Sequence, residues 1–274
     1  NLTRVLQEMG HEFVSVRYSA LEDLGLEQLF LDKWHYQSGH EAVPCVHKNG
    51  PFDWAHIFLE LDVDVVVHNA AVVGTDVVGL NPEEATLTNV LGTRNIVEAA
   101  NNAGIPVCYL GTSVIYDVTK YQEVAIIEDD SRKPPTYYGA LKLSAEQIVQ
   151  STASRWNVLR PLFAYGGDGD MNSLIAKTFY SYLKGRESLD MFLDPDKIKD
   201  YIYVDDFCRA IVISCADGHW GTDFNVAAET PVSVQQIVET MEDVLIDVGL
   251  LPADVHGPNG LNQMLQWKPE TDYL

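Results

Sequence analysis

Leu2, Val5, Leu6 and Met9 recur at i, i+3, i+4 and i+7, the spacing of one apolar helix face, and Gly10 follows as a stop. Residues 11–17 then read as a strand. Further along, 63–68, 107–110 and 156–160 are short, nearly continuous apolar runs bounded by Gly, Pro or polar residues, as strands buried on both faces should be. Between them Asn81 and Pro82 predict the N-cap and first residue of a helix through Ala103, stopped by Gly104 and Pro106. Residues 138–151, 171–184, 205–216 and 233–248 also carry helical periodicity, with Asp205 as an N-cap. The stretch 32–50 is poorly patterned apart from one strand expected at 42–47. Strands alternating with helices predict an α/β fold, a doubly wound parallel sheet covered on both faces.

Composition narrows the class. At 274 residues, 46% hydrophobic and 21% charged, the chain can bury a sizeable core. Forty acidic against 18 basic residues give a net charge of −22, which argues against nucleic acid as a partner. No apolar run approaches the ~18 residues of a membrane span, so no membrane partner is expected. Cys45, Cys108, Cys208 and Cys215 form no Cys-x-x-Cys pair, which points to a reduced, cytoplasmic setting. His35, His40, Cys45 and His47 match no common zinc spacing, so no metal is expected.

The chemistry concentrates in two places. Lys142 stands four residues after Tyr138, so on a helix both project from one face. An ammonium near a phenol would lower its pKa from about 10 toward a range useful for proton transfer. Upstream, Thr112 and Ser113 follow the apolar run 107–110, where hydroxyls at the carboxyl end of a parallel strand meet ligands. Tyr137 lacks a lysine at that spacing and reads as a packing residue. Glu128, Asp129 and Asp130 read as a solvated turn.

Together with Asn69-Ala70-Ala71, Thr88-Asn89, Arg160-Pro161 and the segment 199–206, these motifs resemble the extended short-chain dehydrogenase/reductase family, in its nucleotide-sugar epimerase, dehydratase and reductase branch. The resemblance implies a Rossmann-like domain over 1–161 with 198–226 that binds NAD(P). It also implies a smaller substrate lobe over 162–197 with 227–274, and a ligand cleft between the two. It places the family's first strand and glycine-rich pyrophosphate loop ahead of residue 1, so the sheet is expected to lack its first strand here. A last helix is expected beyond Leu274.

By the same resemblance Tyr138 is the acid/base, Lys142 its partner, and Thr112, with Ser113 beside it, the catalytic hydroxyl. Asn69, Ala70, Ala71, Asn89, Pro161, Tyr138 and Lys142 would face the cofactor. Val73, Thr112, Tyr138, Arg160, Phe163 and Lys199 would face a nucleotide-sugar, with Arg160 and Lys199 near its diphosphate. The 4,6-dehydratases carry an Asp-Glu pair where this chain has Ser113 and Val114, which favours an epimerase or reductase. Arg17, ending the second strand where NAD-binding units carry an acid, suits the 2′-phosphate of NADP over NAD. Relatives dimerise through the helices at 82–103 and 138–151. Reduction of a non-sugar carbonyl, or cofactor sensing without catalysis, are the alternatives.

Overall fold

The apolar runs become strands and the periodic stretches helices in the computed structural model, which describes residues 2–10, 46–47, 50–51, 54–117, 125–166, 174–185, 188–191, 194–216, 219–252 and 261–268. In chain order the first elements are α1 (Leu2–Glu8), β1 (Val46–His47), β2 (Gly50–Pro51), α2 (Trp54–Glu60) and β3 (Val66–His68). Next come α3 (Thr75–Leu80), α4 (Pro82–Thr86), a π-helical turn (Leu87–Gly92), α5 (Thr93–Ala103) and β4 (Val107–Leu110). A 3-10 turn (Ser113–Ile115), α6 (Tyr137–Thr152), β5 (Trp156–Pro161), β6 (Phe163–Tyr165) and α7 (Leu174–Leu183) follow. The chain continues through β7 (Leu189–Met191), β8 (Ile198–Lys199), β9 (Tyr201–Tyr203), α8 (Val204–Ser214) and β10 (Thr222–Val226). Its last elements are β11 (Val232–Ser233), α9 (Val234–Asp247), α10 (Leu261–Met264) and β12 (Leu265–Trp267).

Residues group into two units, Asn1–Pro161 with Cys208–Val226, and Leu162–Phe207 with Ala227–Leu274. The first holds a parallel sheet of order β10-β5-β4-β3. All four residues of β4 are buried, as its unbroken apolar run requires. Side chains alternate across the sheet: Val107 and Tyr109 pack under α5 and α6, against Ala100, Val97, Ala145 and Val149. Cys108 and Asn157 point the other way, to Ser214 at the end of α8. Helices therefore cover both faces, which makes this unit a doubly wound, Rossmann-like sheet. In the second unit, α7, α9 and α10 surround the parallel pair β7-β12, with Leu189, Met191, Val238, Met241 and Leu265 in its core. Ser233 opens α9 with a reciprocal capping box to Gln236.

Several boundaries differ from the sequence-based expectation. The single helix expected over 82–103 is interrupted by the π turn around Asn89, which inserts an extra residue and re-aims side chains. It ends as expected at left-handed Gly104 (φ 73°). Pro82 opens α4, but Asn81 makes no side-chain capping bond; its backbone N–H ends α3 through a bond to the Val77 carbonyl. Asp205 lies inside the first turn of α8 rather than at its cap, where its negative charge still suits the helix dipole. Residues 198–207, expected with the first unit, group with the second, because β8 pairs with β11 and β9 with β6. Of the strand expected at 42–47, Val46–His47 pairs with Gly50–Pro51, and the rest lies outside the described residues. The strand expected at 11–17, with Arg17, also lies outside them. Among the described residues, no helix is long and apolar enough to cross a membrane.

Candidate active site

The site is built where β4 ends. After Leu110 the chain turns through Gly111 and Thr112 into the 3-10 turn, and the Thr112 oxygen caps that turn by accepting from the Val114 N–H at 3.3 Å. Its hydroxyl also lies beside the Tyr138 phenol, whose pKa it pulls down against burial. Tyr138 is held there by the start of α6, which Thr136 caps by accepting from the Gly139 N–H at 3.1 Å. The capping Thr136 and the glycine were not singled out from sequence, although a glycine inside a helix, costing about 1 kcal/mol against alanine, is itself a signal. A Cβ on Gly139 would lie 2.8 Å from the Val114 carbonyl oxygen and 2.9 Å from Pro134 Cβ. Only glycine lets α6 approach the 3-10 turn closely enough for Tyr138 and Thr112 to meet.

Lys142 follows one turn along α6 and is buried, its ammonium donating to the Leu110 carbonyl at 2.7 Å. The expected same-face spacing holds, but the expected electrostatic effect differs. Burial raises the Tyr138 pKa above its ordinary value, and the opposing pull comes from Thr112. Lys142 is itself lowered to about 8 by burial, against the Glu146 charge that raises it. With its ammonium on the Leu110 carbonyl, the lysine does not act as the phenol's acidifying neighbour in this arrangement.

The floor of the site comes from β3 and the π turn. His68, at the end of β3, contacts Thr93 Oγ1 through Nε2 at 2.9 Å, while Thr93 donates its one hydroxyl proton to the Asn89 carbonyl at 2.7 Å. His68 must therefore donate from Nε2. Burial, then the Lys142 charge, lowers its pKa to about 3, so it stays neutral. Asn89 spends its amide on the loop after β3: Oδ1 accepts from the Val72 N–H at 2.7 Å and Nδ2 donates to the Val72 carbonyl at 2.9 Å. Asn69, Ala70 and Ala71 follow β3 directly, and Val73 is 60% exposed. Pro161 is the last residue of β5.

Arg160 is not where the resemblance implies. It is fully buried and grips Glu146 with two parallel bonds, Nε to Oε2 at 2.9 Å and Nη2 to Oε1 at 2.7 Å. It also donates to the Tyr116 hydroxyl at 2.7 Å and pairs with Asp223, which Arg132 meets at 2.8 Å. The guanidinium is consumed by carboxylates from α6 and β10, so it is not available to a diphosphate. The Glu128 turn differs as well: its carboxylate accepts from the Asn225 N–H at 2.6 Å instead of facing only solvent. Tyr137 is 48% exposed rather than packed, its hydroxyl 2.7 Å from Thr86 Oγ1. In the second unit, the Lys199 ammonium lies 4.3 Å over the ring of Phe163, which is 42% exposed. Among the described residues no cluster of three His, Cys, Asp or Glu could hold a metal.

The chain is similar to known proteins in sequence and in fold. The chain is 28% identical over 196 residues to the low-salt glycan biosynthesis protein Agl12 of Haloferax volcanii, covering 70% of this chain and 61% of that one. It is 28% identical to the dTDP-D-glucose 4,6-dehydratase of Mus musculus, covering 65% of this chain and 51% of the relative. The chain thus spans between half and two thirds of the length of these two relatives. In fold it is similar to the UDP-glucuronic acid 4-epimerase of Bacillus cereus, solved with UDP-glucuronic acid and NAD, with a TM-score of 0.67 at 20% identity over 89% of this chain and 78% of that one. The family model described as "NAD dependent epimerase/dehydratase family" matches residues 1–227. With the parallel sheet and that match in agreement, the chain belongs to the NAD-dependent epimerase/dehydratase family.

Proposed function

We propose that the protein acts on a nucleotide-sugar as an epimerase or reductase that depends on a nicotinamide dinucleotide. The observation that carries this reading is the Tyr138 phenol set beside Thr112 at the carboxyl end of β4, with a buried ammonium one turn along the same helix. Thr112 orients a sugar hydroxyl or keto oxygen, and Tyr138 exchanges the proton at that oxygen. Small side chains at Ala70 and Ala71, where β3 ends, leave the room a dinucleotide needs close to backbone, so the residues present fit such a group. Asn89, expected to face it, instead fixes the loop after β3 through Val72, and Asn69, Pro161, Tyr138 and Lys142 are the residues proposed to hold it. When bound, it supplies hydride exchange with the sugar carbon. The relative solved with a cofactor carries NAD, while Arg17 favours NADP, so titrating both forms against Arg17→Glu decides that point.

Ser113 and Val114 put no carboxylate on the 3-10 turn, which supports an epimerase or reductase over a dehydratase. Lys199, beside Phe163, is the cation proposed for the substrate's diphosphate, and Val73 is proposed to line the sugar. A second reading has one specific support. With Arg160 buried against Glu146, the diphosphate loses one of its two expected cations, which suits a non-sugar carbonyl substrate. Incubating full-length protein with UDP-, GDP- and dTDP-hexoses plus NAD(P) tests the choice, and no conversion of any of them would end the sugar reading. Tyr138→Phe should abolish turnover while retaining cofactor binding; turnover persisting in that variant would favour neither reading. Docking of a second copy through α5 and α6 is part of the same proposal, and sedimentation of the protein as a monomer would end it.

A further inference from the structure

Beneath the proposed catalytic pair lies a tyrosine that the reaction scheme does not use. Tyr109 sits in β4, the buried central strand, one residue before Leu110, and is 1% exposed. The Lys142 ammonium is 4.3 Å from the centre of its ring, within the range where the negative face of an aromatic attracts a cation. The same ammonium donates to the carbonyl of the next residue, Leu110, at 2.7 Å. Two consecutive residues of one strand thus supply a π face and a carbonyl to one buried charge. The Tyr109 hydroxyl, by contrast, has no hydrogen-bond partner among the described residues. A buried phenol with an unpaired hydroxyl is costly and uncommon, so its ring rather than its hydroxyl accounts for its place.

We propose that Tyr109 is a positioning residue: its ring face, with the Leu110 carbonyl, holds the Lys142 ammonium at the carboxyl end of β4 and keeps it charged there. This rests on the reading of Tyr138 as the proton-exchanging group, with the Lys142 ammonium one turn along the same helix. The other titratable groups about Lys142 are Tyr138 and Glu146 on α6, His68 on β3 and Arg160 on β5. His68 is neutral, and Arg160 is saturated by Glu146 and Asp223. Tyr109 is also 5.7 Å, ring to ring, from His68, its register partner on β3. The ring is therefore the group on β4 whose removal changes what the ammonium feels without adding or deleting a formal charge.

The test reads Lys142 directly, by NMR titration of protein labelled with 13C at lysine Cε, its resonance assigned through Lys142→Arg. Tyr109→Phe keeps the ring and deletes the unpaired hydroxyl, so the Lys142 titration should stay within a few tenths of a unit of the wild type. Tyr109→Leu should move it down by about one unit, a tenfold shift toward the neutral amine. If Tyr109→Leu does not fold, phenylalanine carrying three ring fluorines at position 109 keeps the shape, weakens the ring face, and should move the titration the same way. An unchanged titration in the fluorinated variant, or a fall as large in Tyr109→Phe as in Tyr109→Leu, overturns the proposal. Turnover is a separate reading: if wild-type protein converts no nucleotide-sugar while the titrations move as stated, the proposed function fails and the role of Tyr109 in holding Lys142 stands.

Discussion

Thr112 uses one oxygen twice, accepting from Val114 to cap a turn and pulling down the pKa of the neighbouring Tyr138 phenol. A hydroxyl can do both because it has two lone pairs and one rotatable proton. Spacing put Tyr138 and Lys142 on one helix face and Thr112 at a strand end, because that geometry follows from one strand end and one helix turn, and the family resemblance supplied their roles. His68 shows the opposite case. Its neutral state depends on burial against residues 25 and more positions away, which no local pattern contains. Because its folded pKa lies near 3, below the ordinary 6.5, the unfolded chain binds the extra proton between those values. Stability from His68 is thus fully present above pH 6.5 and lost as pH falls toward 3. His68→Gln, which keeps a donor to Thr93, should flatten the acid limb of a urea-midpoint profile in that window, where one such group contributes at most about 1.4 kcal/mol per pH unit. An unchanged limb would mean that His68 is not buried neutral.

Among the elements, α6 carries the site and its placement depends on a missing side chain. Gly139→Ala would gain about 1 kcal/mol of helix propensity. It would also push a methyl to 2.8 Å from the Val114 carbonyl, and overpacking of that kind costs about 1–3 kcal/mol. We expect a net loss of stability together with a fall in kcat, since the shift separates Tyr138 from Thr112. Gly79 in α3 is the control, because a Cβ there meets nothing within 4 Å. Gly79→Ala should stabilise by about 0.5–1 kcal/mol, read from thermal or urea midpoints. The two alanines moving the same way would sink this account. The π turn belongs to this scale as well. Helical periodicity predicted one helix over its length, and no residue type marks a π turn within a continuous helix, so the interruption was not legible.

For the whole molecule, two electrostatic features act in opposite directions. Locally, Arg160 and Arg132 balance Glu146 and Asp223 in a cluster that ties α6 to β5 and β10. Replacing Glu146 with Gln leaves a buried guanidinium underpaired and should cost about 3–5 kcal/mol, while Glu146→Leu with Arg160→Leu together should cost less. Equal losses in denaturant titrations of the single and double variants would refute the pairing argument. Globally, a net charge of −22 favours expansion of the chain. Salt shortens the reach of that repulsion to about 3 Å at 1 M, so the melting temperature should rise with NaCl. A flat or falling dependence would show that self-repulsion is not a term in this protein's stability.

Period and punctuation along the chain were enough to determine the α/β class, the central strands and the spacing of Tyr138 and Lys142, because these depend on neighbours a few residues apart. Arg160 was legible as a residue but not as a role. Whether its guanidinium meets a ligand or a carboxylate was decided by Glu146 and Asp223, brought beside it by separate crossovers. The same holds for Lys142, whose ammonium meets the Leu110 carbonyl and the Tyr109 ring on β4 rather than the Tyr138 phenol. Charges choose partners by distance in space, and only the packed sheet sets those distances.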